Sequence, residues 1–319
     1  MKIGLDILGG DFAPKATMLG AIMAQRDLPD SDQLVLIGDK EKILCFLKEE
    51  NVSPDKFDIV DAPDMIEMDE QPTKALLNKP ESSISVGFRM LKHKELHAFA
   101  SAGSSGAMMV GSIYSVNTIQ GIIRPSTPAY IPKENGGSSV LIDVGTNPDA
   151  KPDVMYQFGI LGSLFAEHVF RIKKPRVGLL NIGSEEKKGS LTTQSAFQLM
   201  KDSKDFHFVG NVEGRELFRD NVDVIVCDGF VGNIVLKQVE AMYRVLVKRG
   251  IKDSYLDRFN YETYGGTPIL GINSTVIVGH GISNANAVRK MILMAKEVHD
   301  AKLSMKIRHA LEHFSSNNI

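Results

Sequence analysis

The sequence predicts an α/β fold with a mainly parallel sheet and flanking helices, on two observations. Six short apolar runs, rich in Val, Ile and Leu, each end in a cluster of Gly, Ser, Asn and Asp. Such short runs are typical of strands buried on both faces, as in parallel sheets. Helical segments separate them, and alternating strands and helices indicate a parallel sheet. The six segments are Lys2–Asp11, His97–Gly106, Ser139–Asn147, Arg176–Glu186, Val222–Asn233 and Ser274–Asn284.

The segments between these runs are predicted in chain order as helices and two short strands. Ser83–Lys94 illustrates the helical pattern, because Val86, Met90 and Leu91 fall on one face. The strands are Leu34–Gly38 and Phe57–Asp61, and the helices are Lys15–Arg26, Lys40–Glu50, Ser83–Lys94, Gly106–Thr118, Val154–Val169, Thr192–Lys201, Val235–Arg249 and Ala285–Ala301. A chain of 319 residues suggests two domains or one large one. We place one α/β portion at 1–120 with 285–319, and the other at 121–284.

Composition excludes several classes of protein. The net charge of −2 gives no field that would favour nucleic acid. Cys45 and Cys227 are the two cysteines, too few for a disulfide framework, and they favour a reducing cytoplasm. No apolar run reaches the ~18 residues that a membrane-spanning helix needs. The N-terminal apolar run is too short for a signal peptide. Any membrane contact is therefore expected to be peripheral.

The polar clusters follow predicted strands, and loops at the carboxyl ends of parallel strands gather on one edge where ligands bind. Ser101–Gly106 opens a helix, and the free N–H groups there attract phosphate. The alternative is an ordinary turn with a serine N-cap. The spacing is neither GxGxxG nor that of a P-loop, so a nucleotide is not the first expectation. The sequence predicts a polar, glycine-lined cleft for an anionic or thioester ligand.

Three further clusters carry groups able to act on such a ligand. Lys187 or Lys188 can neutralise a phosphate or an oxyanion, or form a solvated turn. Phe230 stands among the polar residues of Asp228–Asn233, which favours a functional loop. His280 lies between two glycines and can act as an acid–base group, an oxyanion donor or a partner of a carbonyl. Cys227 is predicted as a buried core residue rather than a nucleophile.

Eight motifs in order resemble the bacterial phosphate acyltransferase of phospholipid synthesis, the acyl-ACP:phosphate transacylase, over nearly the whole chain. They are Gly9–Pro14, Ser101–Gly106, Asp143–Asn147, Gly178–Gly183, Gly210–Arg215, Asp228–Asn233, Tyr264–Gly266 and Gly279–Asn284. The resemblance implies a fold similar to isocitrate dehydrogenase and phosphotransacetylase, with a cleft between two α/β portions, in a homodimer. It also implies transfer of a long-chain acyl group from acyl carrier protein (ACP) to inorganic phosphate. The acyl phosphate then feeds a glycerol-3-phosphate acyltransferase.

The resemblance implies direct attack by phosphate on the thioester, without a protein nucleophile, cofactor or metal. Ser104 and Ser105 would hold phosphate, and a lysine would neutralise it. Asn233 or His280 would face the thioester oxygen. The catalytic candidates are Lys187, Lys188, Asn233, His280 and Asp228. The candidates for phosphate and substrate binding are Asp6, Gly9, Gly10, Asp11, Ser101, Gly103, Ser104, Ser105, Gly106, Asp143, Asn147, Asn181, Gly183, Glu185, Asn211, Glu213, Gly229, Phe230, Gly232, Ser283 and Asn284.

The chain departs from the family pattern in three places. Phe12 stands where the family usually has His, and Ser104–Ser105 replaces Asn-Thr. The segment 237–264 is shorter than the helical pair whose tip is linked to membrane docking in the family. Its apolar stripe, with Met242 and Leu246, predicts core packing or a dimer helix more strongly than an anionic membrane surface. Contact with the inner face of the cell membrane therefore stays an alternative to a purely cytoplasmic protein.

Two basic clusters are candidates for docking the acidic ACP, and both can equally be solvated faces. The first is Arg171, Lys173, Lys174 and Arg176, and the second is Arg215, Arg219, Lys248 and Arg249. Three alternative functions stay open: a phosphotransacylase for short acyl-CoA, a dehydrogenase of the isocitrate type, and a non-catalytic protein that recruits lipid enzymes.

Overall fold

Two α/β units make up residues 1–316, the part of the chain that the computed structural model describes. Unit 1 contains Met1–Thr118 and Tyr261–Asp300, and unit 2 contains Ile119–Asn260 and residues 301–316. The sequence-based division placed 261–284 in the second portion and 301–316 in the first, whereas the structure has them the other way round. Residues 317–319, which that division also assigned to the first portion, lie outside the described residues.

The strands and helices of the described residues alternate along most of the chain. In chain order the strands are β1 Lys2–Asp6, β2 Gln33–Gly38, β3 Asp58–Asp61, β4 Ala98–Ser101, β5 Pro128–Pro132, β6 Ser138–Ile142, β7 Arg176–Asn181, β8 His207–Glu213, β9 Val224–Val226, β10 Gly266–Pro268 and β11 Thr275–Gly279. The helices are α1 Lys15–Asp27, α2 Lys40–Glu49, α3 Pro72–Asn78, α4 Ser83–Lys92, α5 Ser105–Val116, α6 Pro152–His168, α7 Leu191–Met200, α8 Gly229–Lys248, α9 Ala285–Asp300 and α10 Leu303–Ser316. The predicted α/β class with a mainly parallel sheet is confirmed.

Unit 1 is built on a six-stranded sheet in the order β10-β11-β4-β1-β2-β3. All neighbours are parallel except β10, which runs antiparallel to β11. Ile3, Leu5 and Phe99 are fully buried, as expected for central strands that are apolar on both faces. Because β11, β4 and β1 are adjacent and parallel, the loops that follow them emerge side by side.

Unit 2 is built on a five-stranded sheet in the order β5-β6-β9-β7-β8. Only the edge strand β5 is antiparallel among the described strands of this sheet. The loops after β6, β9 and β7 therefore also emerge at one edge. α6 is apolar around most of its circumference and buries eleven of its seventeen residues, as a central core helix does.

An ion-pair network lies at the opposite, amino edge of the unit 2 sheet. The buried ammonium of Lys133 contacts Asp223 Oδ1 at 2.5 Å and Asp220 Oδ1 at 2.9 Å. Arg176 donates from Nε to Asp223 Oδ2 at 2.9 Å and from its guanidinium to Asp220. Burial raises the pKa of Asp223, but the two cations outweigh this effect and hold that pKa well below its usual range. The hydrogen bond from Lys133 is the main cause that lowers the pKa of Asp220 to about 2.

The start of α8 is the main local difference from the prediction. The glycines suggested a loop through Asn233 with a helix from Val235, whereas the helix begins at Gly229. Asp228 is the N-cap and its Oδ1 accepts from the Val231 N–H at 2.8 Å. Only Gly229 and Gly232 of the twenty α8 residues are buried. Within residues 1–316, no helix combines the length and apolar character needed to cross a membrane.

Candidate active site

In unit 1, a buried aspartate at the end of β1 organises the glycine loops. Asp6 Oδ2 accepts from Ser101 Oγ at 2.6 Å, and Oδ1 accepts from the N–H groups of Leu8 and Gly9 at 3.0 and 3.1 Å. Ser83 adds a further side-chain hydrogen bond. Burial raises the pKa of the Asp6 carboxyl, and these hydrogen bonds oppose that shift. The carboxylate joins the loops after β1 and β4 from within.

The loop after β4 opens α5 as the sequence predicted. Ser104 is the N-cap, buried, and its Oγ accepts from the Ala107 N–H at 3.3 Å. Ser101 Oγ accepts from Gly103 N at 2.9 Å, which shapes the turn before the helix. Ser105 is exposed, and the N–H groups of Ser105 and Gly106 lie in the first turn, where no intrahelical acceptor exists. This helix start is suited to an anion.

The loop after β11 is tied to the loop after β1. The Asp11 N–H donates to Gly281 O at 2.7 Å. Gly10 sits at φ +110°, a conformation that favours glycine. Ser283 is almost fully buried, and its Oγ has no hydrogen-bond partner among the described residues. Asn284 Oδ1 accepts from the Ala287 N–H at 3.0 Å and thereby caps α9. Ser283 thus has an unsatisfied buried hydroxyl, and its predicted contact with substrate stays a prediction.

His280, in the same loop, packs against an aromatic ring. Its ring centroid lies 5.2 Å from that of Tyr261. The Tyr261 hydroxyl in turn donates to Ile282 O at 2.8 Å. The aromatic contact holds the imidazole of His280 within the loop after β11, and its catalytic role stays a prediction.

In unit 2, Asp143 at the end of β6 occupies a position equivalent to that of Asp6 in unit 1. Its Oδ1 accepts from Ser126 Oγ at 2.7 Å and from the Thr127 N–H at 3.1 Å. Its Oδ2 accepts from the Asn147 N–H at 2.6 Å and from Asn147 Nδ2 at 3.2 Å. Burial raises the pKa of Asp143, and the hydrogen bonds from its neutral donors oppose that shift. Asn147 thus binds Asp143 through both its backbone N–H and its side-chain amide.

The two buried glycines of α8 let the start of that helix approach Asp143. A Cβ at Gly229 would lie 2.6 Å from Asp143 Oδ2, and a Cβ at Gly232 would overlap the Asp143 carbonyl oxygen. Gly229 N donates to Asn147 O at 2.8 Å. Asn233, one residue beyond, is exposed beside Gly145, and Phe230 is exposed on the same first turns. The functional interpretation of Phe230 stays a prediction.

Asn181 and Asn211 brace the loop after β7. Asn181 Nδ2 donates to Lys188 O and to Asn211 Oδ1, both at 3.1 Å. Asn211 Nδ2 donates to Glu185 O at 2.9 Å. Both amides therefore shape the loop that carries the two lysines. The direct contacts with substrate that the sequence suggested for them stay predictions.

The charged candidates on the loop after β7 are more exposed than Asn181 and Asn211. The Lys188 ammonium lies 4.0 Å from Glu185, an exposed and weak ion pair, while Lys187 is exposed. A Cβ at Gly183 would lie 2.9 Å from both Glu185 and Lys188, so this glycine lets the turn close. Glu213 pairs with Arg215 at 2.8 Å. The lysines are therefore accessible to an anion.

Cys227, between β9 and α8, lies in the core of unit 2. Its side chain is buried and its Sγ contacts Asp143 O at 3.5 Å. Burial raises the pKa of the Cys227 thiol well above its usual value, and the nearby carboxylates Asp228 and Asp143 raise it further. A nucleophilic cysteine needs a thiolate and access to solvent. Cys227 has neither, as the prediction of a core residue requires.

Comparison with known proteins identifies the family. A family model described as "Fatty acid synthesis protein" matches residues 1–306. A phosphate acyltransferase from Halothermothrix orenii is 40% identical over 317 residues, covering 93% of this chain and 94% of the relative. Another from Desulfitobacterium hafniense is 38% identical and covers 99% of both chains. The chain belongs to the phosphate acyltransferase family.

Solved structures share the fold of this phosphate acyltransferase family member at low sequence identity. A phosphotransacetylase from Streptococcus pyogenes matches with a TM-score of 0.64 at 16% identity, over 93% of this chain and 94% of that one. A phosphotransacetylase from Staphylococcus aureus, named EutD, matches with a TM-score of 0.63 at 14% identity and the same coverage. The predicted phosphotransacetylase-like fold is confirmed.

The sequence pattern did not indicate three residues that donate hydrogen bonds to the two buried aspartates of this phosphate acyltransferase family member. Ser83 bonds to Asp6, and Ser126 and Thr127 bond to Asp143. Ser83 begins a helix and Ser126–Thr127 precede an edge strand, so neither lies in a glycine-rich cluster. The one available signal was the polar pair Ser126–Thr127 directly before β5, a strand that the sequence pattern did not predict. Among residues 1–316, no three His, Cys, Asp or Glu side chains group as a metal site.

Proposed function

We propose that this protein transfers a long-chain fatty acyl group from acyl-ACP to inorganic phosphate, giving an acyl phosphate for glycerol-3-phosphate acylation. The name shared by relatives over nearly the full chain is the observation that carries the reaction class. The start of α5 supports a phosphate site, because its free N–H groups, the buried Ser104 and the exposed Ser105 meet there.

In the proposed mechanism a phosphate oxygen attacks the thioester carbonyl carbon. The C–O bond forms, the tetrahedral intermediate collapses and the C–S bond breaks. ACP leaves as a thiolate, which takes up the proton that the attacking hydrogen phosphate gives up. The protein positions phosphate and stabilises the oxyanion. The buried thiol of Cys227, with its raised pKa, supports direct transfer rather than an acyl-cysteine intermediate. Asp6 and Asp143 act as positioning residues beneath the loops.

Two donors are proposed for the oxyanion, Asn233 and His280. Asn233 is exposed on the first turns of α8, and His280 is half-buried against Tyr261. Lys187 or Lys188 neutralises phosphate or the intermediate. We expect alanine at Ser105 to raise the KM for phosphate, and alanine at the oxyanion donor to lower kcat by roughly 10²–10³. Unchanged turnover and phosphate affinity in a Ser105→Ala, Asn233→Ala double variant would remove this part of the proposal.

For ACP docking, the structure favours the turn at Arg171, Lys173 and Lys174. Arg176, the fourth member of that predicted cluster, is already engaged by Asp220 and Asp223. In the second cluster Arg215 pairs with Glu213, and Arg219 lies 3.9 Å from Glu216. Charge reversal at Lys173 and Lys174 is expected to raise the KM for acyl-ACP and not that for phosphate. An unchanged KM for acyl-ACP excludes this turn.

The exposed apolar residues of α8 support the proposed homodimer, and a cytoplasmic location is part of the same proposal. They include Phe230, Ile234, Met242, Val245 and Val247. Analytical ultracentrifugation tests the dimer, and co-sedimentation with anionic vesicles tests the alternative of membrane contact through Lys248 and Arg249. Handover of the product to a glycerol-3-phosphate acyltransferase belongs to the same proposal.

The decisive assay is acyl phosphate formation from palmitoyl-ACP and phosphate, with palmitoyl-CoA and butyryl-CoA in parallel. We expect palmitoyl-ACP to be the best donor. A preference for butyryl-CoA would instead make the protein a short-chain phosphotransacylase. Reduction of a nicotinamide cofactor, followed by its absorbance, with no acyl transfer would make it a dehydrogenase. No reaction in any assay would favour a recruiting role.

A further inference from the structure

An ordered segment covers part of the loop edge of unit 1. Residues 62–82 leave the carboxyl end of β3 and lead into α4. The two ends of the segment are joined by an isolated parallel β-bridge between Asp64 and Ser82, in which the Ser83 N–H donates to Asp64 O at 3.0 Å. Within the segment, Lys79 Nζ donates to Met65 O at 2.9 Å and contacts Glu70 Oε1 at 2.5 Å, which links its two ends.

This segment touches two of the loops that form the candidate site. Pro72 packs against the first turn of α5, since a Cβ at Gly106 would lie 2.7 Å from Pro72 Cγ. The Met68 methyl packs beside the loop after β11, since a Cβ at Gly281 would lie 3.1 Å from Met68 Cε. That same position is 3.3 Å from Asp11 Oδ1. Met68 therefore borders the loops after β1 and β11.

Four exposed apolar side chains lie on this segment and on the two loops that Met68 borders, and we call them the apolar rim: Phe12, Met65, Met68 and Ile282. Met65 and Met68 are separated by Glu67 and by Ile66, which is buried in the core with Ala75. The core below the segment is therefore filled without the two methionines. Unbranched methionine side chains adapt to flexible apolar ligands. Phe12 and Ile282 extend the rim along the two neighbouring loops.

The charge of the segment limits what can occupy the rim. Residues 62–82 contain Asp64, Glu67, Asp69, Glu70 and Glu81 against only Lys74 and Lys79. Lys79 is paired with Glu70. A negative surface repels anionic vesicles and the acidic body of ACP, whereas an uncharged hydrocarbon chain is not repelled.

We propose that the apolar rim binds the acyl chain of the donor and sets its chain-length preference. The inference rests on the proposed acyl transfer and adds the place where the chain lies. Phosphate binds at the start of α5, and the alkyl chain extends past Gly281 over Met68, with Phe12 on the loop after β1. A long chain contacts the rim, and a four-carbon chain ends before it.

The first test compares donors of different length in Met68→Ser and in a matched control. Met68 is 49% exposed, so the substitution leaves the core intact. Met305 on α10 is 59% exposed, and Met305→Ser makes the same chemical change in unit 2. We expect Met68→Ser to lower kcat/KM for palmitoyl-ACP about tenfold, mainly through KM, with butyryl-ACP unchanged. Met305→Ser is expected to leave both donors unchanged.

Equal kcat/KM values of wild type and Met68→Ser with palmitoyl-ACP overturn the inference while leaving the proposed reaction standing. The same loss with both donors also overturns it, since a chain-length site must discriminate. A change of sedimentation coefficient in Met68→Ser, with chain-length preference unchanged, makes the rim an interface between copies of this chain instead.

The second test needs no turnover, so it separates this inference from the reaction itself. A palmitoyl-pantetheine analogue with a diazirine near the end of its alkyl chain is photolysed with the protein, and labelled peptides are mapped. Label on residues 62–82, reduced in Met68→Ser, supports the inference. Label confined to peptides outside unit 1, or no label with an excess of probe, overturns it even when acyl phosphate is formed.

Discussion

Asp143 and Asp223 are buried aspartates at opposite edges of one sheet, and their surroundings are opposite in kind. Asp143, at the carboxyl edge, accepts only from neutral donors on Ser126, Thr127 and Asn147, and burial raises its pKa. Asp223, at the amino edge, lies between Lys133 and Arg176, which lower its pKa.

The contrast separates a stabilising charge pair from a carboxyl group that positions loops. At the amino edge, removal of either charge leaves a buried partner uncompensated, so the network belongs to the stability of unit 2. At the carboxyl edge, neutral donors satisfy Asp143 and fix the backbone of the loop after β6 beneath α8. We expect substitutions at the first edge to act on unfolding, and at the second on activity.

The largest expected effect is that of Asp223→Asn. The buried ammonium of Lys133 and the guanidinium of Arg176 lose their shared carboxylate, and breaking such a pair costs about 3–5 kcal/mol. Urea unfolding followed by circular dichroism measures the loss. The control is Asp220→Asn, because Asp220 is half exposed and should cost about 1 kcal/mol or less. Equal losses in both variants would contradict a buried network centred on Asp223.

Gly232→Ala should have the next largest effect. Alanine would favour an isolated helix by about 1 kcal/mol, but here its Cβ would overlap the Asp143 carbonyl and lie 2.9 Å from Cys227 Sγ. Overpacking of this kind costs about 1–3 kcal/mol and shifts the start of α8. The midpoint temperature of thermal unfolding and the rate of acyl phosphate formation should both fall. Gly214→Ala, with nothing within 4 Å of its added methyl, should change neither.

Asp143→Asn should cost less stability and more activity than Asp223→Asn. The amide keeps one oxygen for Ser126 and Thr127 but turns an NH₂ group toward the two donors of Asn147. The loss should be about 1–2 kcal/mol in unfolding, with a larger proportional loss in kcat than in folded fraction. A loss of stability as large as that of Asp223→Asn, with normal turnover of the folded protein, would break the contrast.

The smallest effect is a difference in pH dependence. The folded pKa of Asp223 lies below its unfolded value, so its stabilisation is complete above about pH 4 and declines as the pH falls toward the folded pKa. The pKa of Asp143 is raised, so its contribution is present below about pH 4 and declines as the pH rises through the folded pKa. When the unfolding free energy is plotted against pH between 3 and 6, the slope at the acid end should become smaller in Asp223→Asn. In Asp143→Asn the acid slope should be kept, and a flattened acid slope there would reverse the assignment.

The position of the loops could be predicted from the sequence because it follows from local pattern. Apolar runs that end in Gly, Ser and Asn place Asp6, Ser104 and Asp143 at carboxyl ends of strands, and parallel pairing brings the ends together. The start of α5 with its serine N-cap needed only the Ser-Ser-Gly sequence after β4, and its binding of phosphate stays a proposal.

The partners of those residues could not be predicted because they come from distant parts of the chain. Ser83 reaches Asp6 and Ser126 reaches Asp143 through tertiary packing, which no periodicity records. The start of α8 was missed for a related reason. Gly229 and Gly232 weaken a helix by propensity, but their close approach to Asp143 requires glycine there. The edge strands β5 and β10 contain proline and are short, so their signal was weak.

The order of the strands in unit 1 has a consequence for synthesis on the ribosome. β11 lies between β10 and β4, yet 173 residues separate the end of β4 at 101 from the start of β11 at 275. All five strands of unit 2 emerge first and can pair while β4 still has an open edge. Such an edge can pair with other chains. A nascent chain halted near residue 260 should therefore recruit chaperones or aggregate through unit 1, while its unit 2 sheet is already complete.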